Sequence, residues 1–193
     1  VSLTTSGASP SLALAPDGTM AVLYESTGTG SGSTSLWLQR FTATGAATGA
    51  PLALGRGTGL AELAHDGVGY VSIWATPSEI LIGQGPNLTV QLRHPVALSG
   101  ILNQNWFASL AAADGVLGAI WANASDEVFF ARIARSRGGT GPLVFRDPPT
   151  RISGAGMAGA KVIGAATSTS FLAGWTQTAG PLLLTPIDRS DCP

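Results

Sequence analysis

The feature that most limits how this chain can fold is a pattern that comes back four times. An Asp-Gly pair precedes a short apolar run that ends in an aromatic residue. It is seen in "LAPDGTMAVLY" with Asp17-Gly18 and Tyr24, in "LAHDGVGYVSIW" with Asp66-Gly67 and Trp74, and in "LAAADGVLGAIW" with Asp114-Gly115 and Trp121. A degraded copy, "IGAATSTSFLAGW", puts Thr167-Ser168 ahead of Trp175. The aromatics are 50, 47 and 54 residues apart. A period of that size marks a repeat architecture built from one supersecondary unit. Each run is too short for a helix and is bounded by Gly, Ser or Thr, so it reads as a strand. Asp-Gly is a tight-turn pair, because glycine tolerates positive φ and the Asp side chain bonds nearby backbone. The repeat therefore predicts four hairpins: "SLALA"/"MAVLY", "AELAH"/"YVSIW", "FASLAA"/"LGAIW" and "AKVIGA"/"FLAGW".

A third strand is expected after each hairpin: "TSLWLQRF", "NLTVQLRH", "EVFFARIA" and "PLLLTPID". This alignment makes Arg40, Arg93 and Arg132 equivalent, with Pro186 near that place in the fourth unit. Fourth strands are expected after prolines, in "PLALG", "PVALSG" and "PTRISG". The last unit has none, and Val1–Thr5 supplies it, closing a ring and burying an edge that would otherwise invite aggregation. The expected fold is all-β: a four-bladed β-propeller of four-stranded blades, closed by the N-terminal strand as the outer strand of the last blade. It forms one domain over 1–193, with repeats at about 9–59, 60–104, 105–157, and 158–193 plus 1–7. Loops are expected at Ser26–Ser33, Pro77–Asn87 and Arg135–Pro149.

The pattern resembles the degenerate propeller repeats of bacterial secreted and cell-surface proteins, and the resemblance spans essentially the whole chain. It lacks the paired Gly-His and Trp-Asp marks of the WD type. Its "PDGTMAVLY" departs from the sialidase Asp-box. The size resembles hemopexin-like four-bladed domains, but a single cysteine, Cys192, departs from their terminal disulfide. A fragment of a larger propeller and two chains joined in an eight-bladed ring are the alternatives. The resemblance implies a secreted or cell-surface location and a ligand face on the rim formed by second-to-third-strand loops and blade-to-blade loops.

Composition narrows the partners. Charged residues make up 11% of the 193, net charge is −1, and Lys161 is the only lysine. No electrostatic case exists for nucleic acid or an anionic membrane. No apolar run is long enough to span a bilayer as a helix. The N-terminal "VSLTTSGASP" lacks the features of a signal peptide and fits the mature end of a secreted chain. With so much Ala and Gly, the near absence of lysine reads as the bias of a GC-rich bacterial genome. Asn87 and Asn123 fit the glycosylation pattern, which chance often produces in a Ser/Thr-rich chain.

No catalytic constellation stands out. His65 and His94 are the only histidines, both expected on the rim away from the ligand face. No "GxSxG" elbow or zinc spacing occurs, and "GTGSG" at 28–32 has no following helix. The repeated Asp residues are read as turn formers, the repeated aromatics as packing between blades, and the repeated arginines as hydrogen-bonding or solvated strand positions. Arg135, Arg137, Arg146 and Arg151 are expected to gather near the rim opposite the ligand face. The ligand rim is expected to carry Glu25, Glu79, Asn123, Asp126 and Gln177. Beside them lies the recognition-like "LNQNW" with Asn103, Gln104, Asn105 and Trp106, whose amides can bond hydroxyls while the indole stacks on a ring. The expected role is a non-catalytic binding or adhesion module for glycan or protein, monomeric or dimeric. A glycoside-type hydrolase using Glu25, Glu79 and Asp126, and a structural or assembly domain of a larger surface protein, are the alternatives. No cofactor is expected, although a narrow channel or the rim can hold an ion such as calcium.

Overall fold

The computed structural model describes residues 7–27, 34–56, 61–76, 78–95, 108–113, 115–122, 127–136, 141–153, 162–167, 169–176 and 180–188. They form four antiparallel sheets. Sheet 1 holds β1 (Gly7–Leu14), β2 (Met20–Thr27), β3 (Thr34–Phe41) and β4 (Leu52–Arg56). Sheet 2 holds β5 (Glu62–His65), β6 (Tyr70–Ala75), β7 (Glu79–Gln84) and β8 (Thr89–Pro95). Sheet 3 holds β9 (Ala108–Ala113), β10 (Val116–Ala122) and β11 (Val128–Arg135), with an outer strand split into β12 (Leu143–Phe145) and β13 (Thr150–Arg151), both paired to β11. Sheet 4 holds β14 (Val162–Ala166), β15 (Ser170–Thr176) and β16 (Leu182–Asp188). This is the four-unit meander that the repeat predicts.

The Asp17-Gly18 and Asp66-Gly67 turns form as expected, and Asp114 lies outside the described residues. Gly18, Gly67 and Gly115 have φ of 83°, 91° and 75°, a region where a side chain would be strained. Asp17 Oδ1 accepts from the Thr19 backbone N–H and hydroxyl, and Asp66 Oδ1 accepts from the N–H groups of Val68 and Gly69.

Each sheet has two faces, and the register assigns them. One face of sheet 1 (Ala13, Ala21, Leu23, Leu36, Leu38) packs on sheet 2 through Leu63, Trp74 and Leu81. The other face of sheet 2 (Val71, Ile73, Ile80, Ile82) packs on sheet 3 through Leu110, Ala119 and Trp121. The other face of sheet 3 (Ala111, Ile120, Val128, Phe130) packs on sheet 4 through Val162, Ala173 and Trp175. At each of these three contacts the forward face of one sheet meets the back face of the next. Trp74, Trp121 and Trp175 all lie on back faces and pack between sheets as expected, whereas Tyr24, on the back face of sheet 1, joins none of the three clusters. Gly118 permits the third contact: a Cβ there would lie 2.7 Å from Phe171 and 2.9 Å from Phe130.

Among the described residues no core cluster joins sheet 4 to sheet 1, and the closing strand expected at Val1–Thr5 lies outside them.

Three strand expectations are corrected. Pro77–Asn87 is not a loop, because it contains β7, the third strand of sheet 2. "NLTVQLRH" then falls largely in β8, the outer strand, and residues 96–100 of the fourth strand expected at "PVALSG" lie outside the described residues. Arg93 consequently is not equivalent to Arg40 and Arg132. Ladder partners place Gln84, opposite Val71, where Arg40 stands opposite Ala21 and Arg132 opposite Gly118. The expected loops at Ser26–Ser33 and Arg135–Pro149 give way in part to the end of β2 and to β12.

Candidate functional site: an axial cavity

The first strands of the four sheets come together around one cavity. Its volume is about 330 Å³, and it is lined by Ser9, Pro10 and Ser11 of β1, Ala61 and Glu62 at β5, Ala108 and Ser109 of β9, and Val162, Ile163 and Gly164 of β14. These residues lie from just before the start of their strand to about its middle, toward the rim opposite the Asp-Gly turns. That is the rim where the second strands end and the third begin. β1 is irregular here: its register with β2 shifts between Ala8 and Ser11, and Ser9 has a φ of 51°, unusual for a residue with a side chain.

The cavity wall is built by one repeated hydrogen bond. Ser11 Oγ accepts from the Leu63 N–H at 2.9 Å, Glu62 Oε2 from the Leu110 N–H at 2.6 Å, and Ser109 Oγ from the Gly164 N–H at 2.8 Å. Ser11, Glu62 and Ser109 occupy the same register position, opposite Leu23, Ile73 and Ile120. In each case a side chain on one sheet satisfies the backbone of the next. Ile163, opposite Gly174, holds the fourth such position and has no side-chain acceptor.

Glu62 is the carboxylate of this wall. Burial pushes its pKa up, against the hydrogen bonds it receives from the Ser109 hydroxyl and the Leu110 N–H. Ser72 Oγ also donates to the Glu62 backbone carbonyl at 2.9 Å, which fixes the start of β5. A half-buried acid, several hydroxyls and the apolar Pro10, Ala61 and Ile163 can hydrogen-bond a hydroxylated molecule along one side and pack against it on another.

The expected rim residues are dispersed. Glu25 lies near the end of β2 with 7% exposure, and Glu79 begins β7, where its Oε2 accepts from Arg93 Nη1 at 2.7 Å. Neither lines the axial cavity. Asn103, Gln104, Asn105, Trp106, Asn123, Asp126 and Gln177 lie outside the described residues. Among the described residues no group of three or more His, Cys, Asp or Glu side chains could hold a metal ion. No helix among them is long and apolar enough to cross a membrane.

Glu62 is absent from the expected site. The signal that finds it is its register equivalence with Ser11 and Ser109, which appears only once the strands are paired.

Two histidine and arginine placements are also corrected. His94, on the outer strand β8, pairs with Ile80 next to Glu79, on the rim of the cavity rather than away from it. It packs against Trp121 with ring centroids 5.3 Å apart, and burial lowers its pKa. Arg135 and Arg151 do not gather on one rim. Arg151 pairs with Phe129 and reaches Glu127 at the start of β11, whereas Arg135 ends β11 and crosses to sheet 2. Arg135 Nε donates to Asp66 Oδ2 at 2.7 Å, and Nη1 donates to Gln84 at 2.6 Å. The Asp66 and Arg135 side chains are 1% and 7% exposed. Burial alone would raise the Asp66 pKa. The bonds from Arg135 and from the Gly69 and Val68 N–H groups outweigh it and hold the pKa below the ordinary carboxylate value.

No family model and no curated protein matches the chain. Among solved structures it is similar to a neuraminidase-like protein from A/bat/Guatemala/164/2009, with a TM-score of 0.65 and 9% sequence identity. The match covers 95% of this chain and 52% of that one, so the chain spans about half the length of that structure. This likeness is one of fold, and it supports the all-β, propeller-like arrangement of the four sheets. A glycosyl hydrolase from Bacteroides ovatus matches over 97% of this chain and 85% of the other at 10% identity. Its TM-score of 0.34 is too low to bear on the fold.

Proposed function

We propose that this chain is a propeller-type, non-catalytic binding module of a bacterial surface or secreted protein, and that it takes the end of a glycan into the axial cavity. The observation that carries this reading is the convergence of all four first strands on one hydroxyl-lined cavity with a single half-buried carboxylate. Hydrolysis by a pair of acids needs two carboxyl groups flanking the scissile bond. Glu62 is the only carboxylate among the described residues lining the cavity, which favours binding over cleavage. The neuraminidase-like neighbour makes glycan the first ligand class to test. Asn103, Gln104, Asn105 and Trp106 lie just before Ala108 in sequence, separated from it by Phe107, so they are proposed to extend the site from its mouth. Asn123, Asp126 and Gln177 are proposed to flank it, with calcium as a rim or channel ion. The propeller is completed where the forward face of sheet 4 meets the back face of a sheet 1, with Val1–Thr5 as the outer strand there.

A glycan array on the folded, purified chain tests the reading, run once with calcium and once with chelator. Specific binding is expected, weakened about tenfold or more by Glu62→Gln, since a hydrogen bond to a charged group contributes roughly 1.5–3 kcal/mol. It is also expected to weaken when Asn105→Ala and Trp106→Ala are combined. A blank array on a monodisperse sample overturns glycan binding.

A further inference from the structure

Three of the four forward faces are covered by a following sheet. Among the described residues, that of sheet 4 is not. Ile163, Leu172, Leu182 and Leu184 on that face are 49%, 37%, 52% and 53% exposed. They occupy the register positions that in sheets 1 to 3 hold buried residues such as Leu36, Ile82 and Phe130, and the axial positions of Ser11, Glu62 and Ser109. At the other end, the back face of sheet 1 carries Leu12 and Leu14 at 61% and 63% exposure. The counterparts of Leu12 in sheets 2 and 3 are Leu63 and Leu110, both buried against a preceding sheet. An apolar sheet face of this extent marks an interaction surface.

We propose that the forward face of sheet 4 docks on the back face of sheet 1 of a second copy of this chain. The occupant follows from continuity with the three contacts inside the molecule, each of which joins a forward face to a back face. Among the described residues the chain presents one unmatched face of each kind, and both stay exposed rather than meeting each other. The contact is heterologous, so two copies close it into a ring or successive copies extend it. It is also drier at the axis than the internal contacts. Ile163 replaces the side-chain acceptor and meets the second copy near Leu12.

Sedimentation of the chain over a wide range of concentration, without glycan, tests this independently of ligand binding. A dimer or larger ring is expected. Leu184→Arg and Leu12→Arg should each weaken association about 100-fold or more, because each buries an unpaired charge on one side of the contact. Both substitutions fall on exposed positions, and unchanged far-ultraviolet dichroism would verify that the fold survives. The decisive mixture combines the two variants. Leu184→Arg keeps an intact back face and Leu12→Arg an intact forward face, so together they should form a one-contact heterodimer that neither forms alone. A monomer at every concentration overturns the proposal, whether the faces close within one chain or stay free. Assembly that survives both substitutions overturns it too, as does failure of the two variants to associate when mixed.

Discussion

At the scale of single residues, the opposed shifts of two carboxylates give this molecule a testable response to pH. Glu62 is raised, so between its unfolded and folded pKa values the native state binds more protons, and its contribution to stability falls as pH rises. Glu62→Gln should therefore be less stable than the parent in acid but close to it, or more stable, at pH 7. Urea midpoints at the two pH values check this. Asp66 is lowered, so its contribution is present above the unfolded pKa and is lost as pH falls through the folded one. Asp66→Asn should flatten that acid limb. At neutral pH it should cost about 3–5 kcal/mol, the usual penalty for leaving the other charge of a buried pair alone. His94 adds a third component. Its lowered pKa makes protonation between its unfolded and folded values destabilising, and His94→Phe should remove that part of the acid loss. The exposed Arg93–Glu79 pair, at 59% and 31% side-chain exposure, is expected to be worth at most about 1 kcal/mol. Trp175 Nε1 is buried without a hydrogen-bond partner among the described residues, so the cost of Trp175→Phe should come from the volume lost in the sheet 3–sheet 4 core and not from a broken hydrogen bond.

Strands and turns show how far the amino acids announce the fold. The Asp-Gly turns and the runs ending at Tyr24, Trp74, Trp121 and Trp175 were readable because local turn chemistry and repeat spacing agree. β7 was not, although "EILIGQ" is strongly apolar. It is bracketed by Thr76-Pro77-Ser78 and by Gly85-Pro86, so breaker residues on both sides make it look like part of a long loop. One missed strand then moved Arg93 and His94 to the wrong places. The axial wall was hidden for another reason. Its equivalent positions carry Ser, Glu, Ser and Ile, so no single residue type repeats, and only strand pairing aligns them. At this scale Ser109→Ala should cost about 1–3 kcal/mol, because the Gly164 N–H loses its acceptor within the sheet 3–sheet 4 contact. Gly118→Ala should cost a similar amount, about 1–3 kcal/mol, by forcing Phe171 and Phe130 apart. Chemical denaturation of each variant measures both.

Over the whole molecule, stability is distributed over the contacts between successive sheets rather than held in a single core. Sheets 2 and 3 each have a core on both sides, and Arg135 ties them together across Asp66 and Gln84. Sheets 1 and 4 each share a core on only one side among the described residues. Such an array responds to a mechanical load unevenly. Held by its two termini and stretched, the chain should surrender sheet 4 or sheet 1 at low force, while the central pair persists as a stiffer block that ruptures later. Single-molecule pulling would record this as unequal steps, and Arg135→Ala should lower the last one. A chain loaded along its length would then lengthen first at its ends, with its axial cavity opening before its middle gives way.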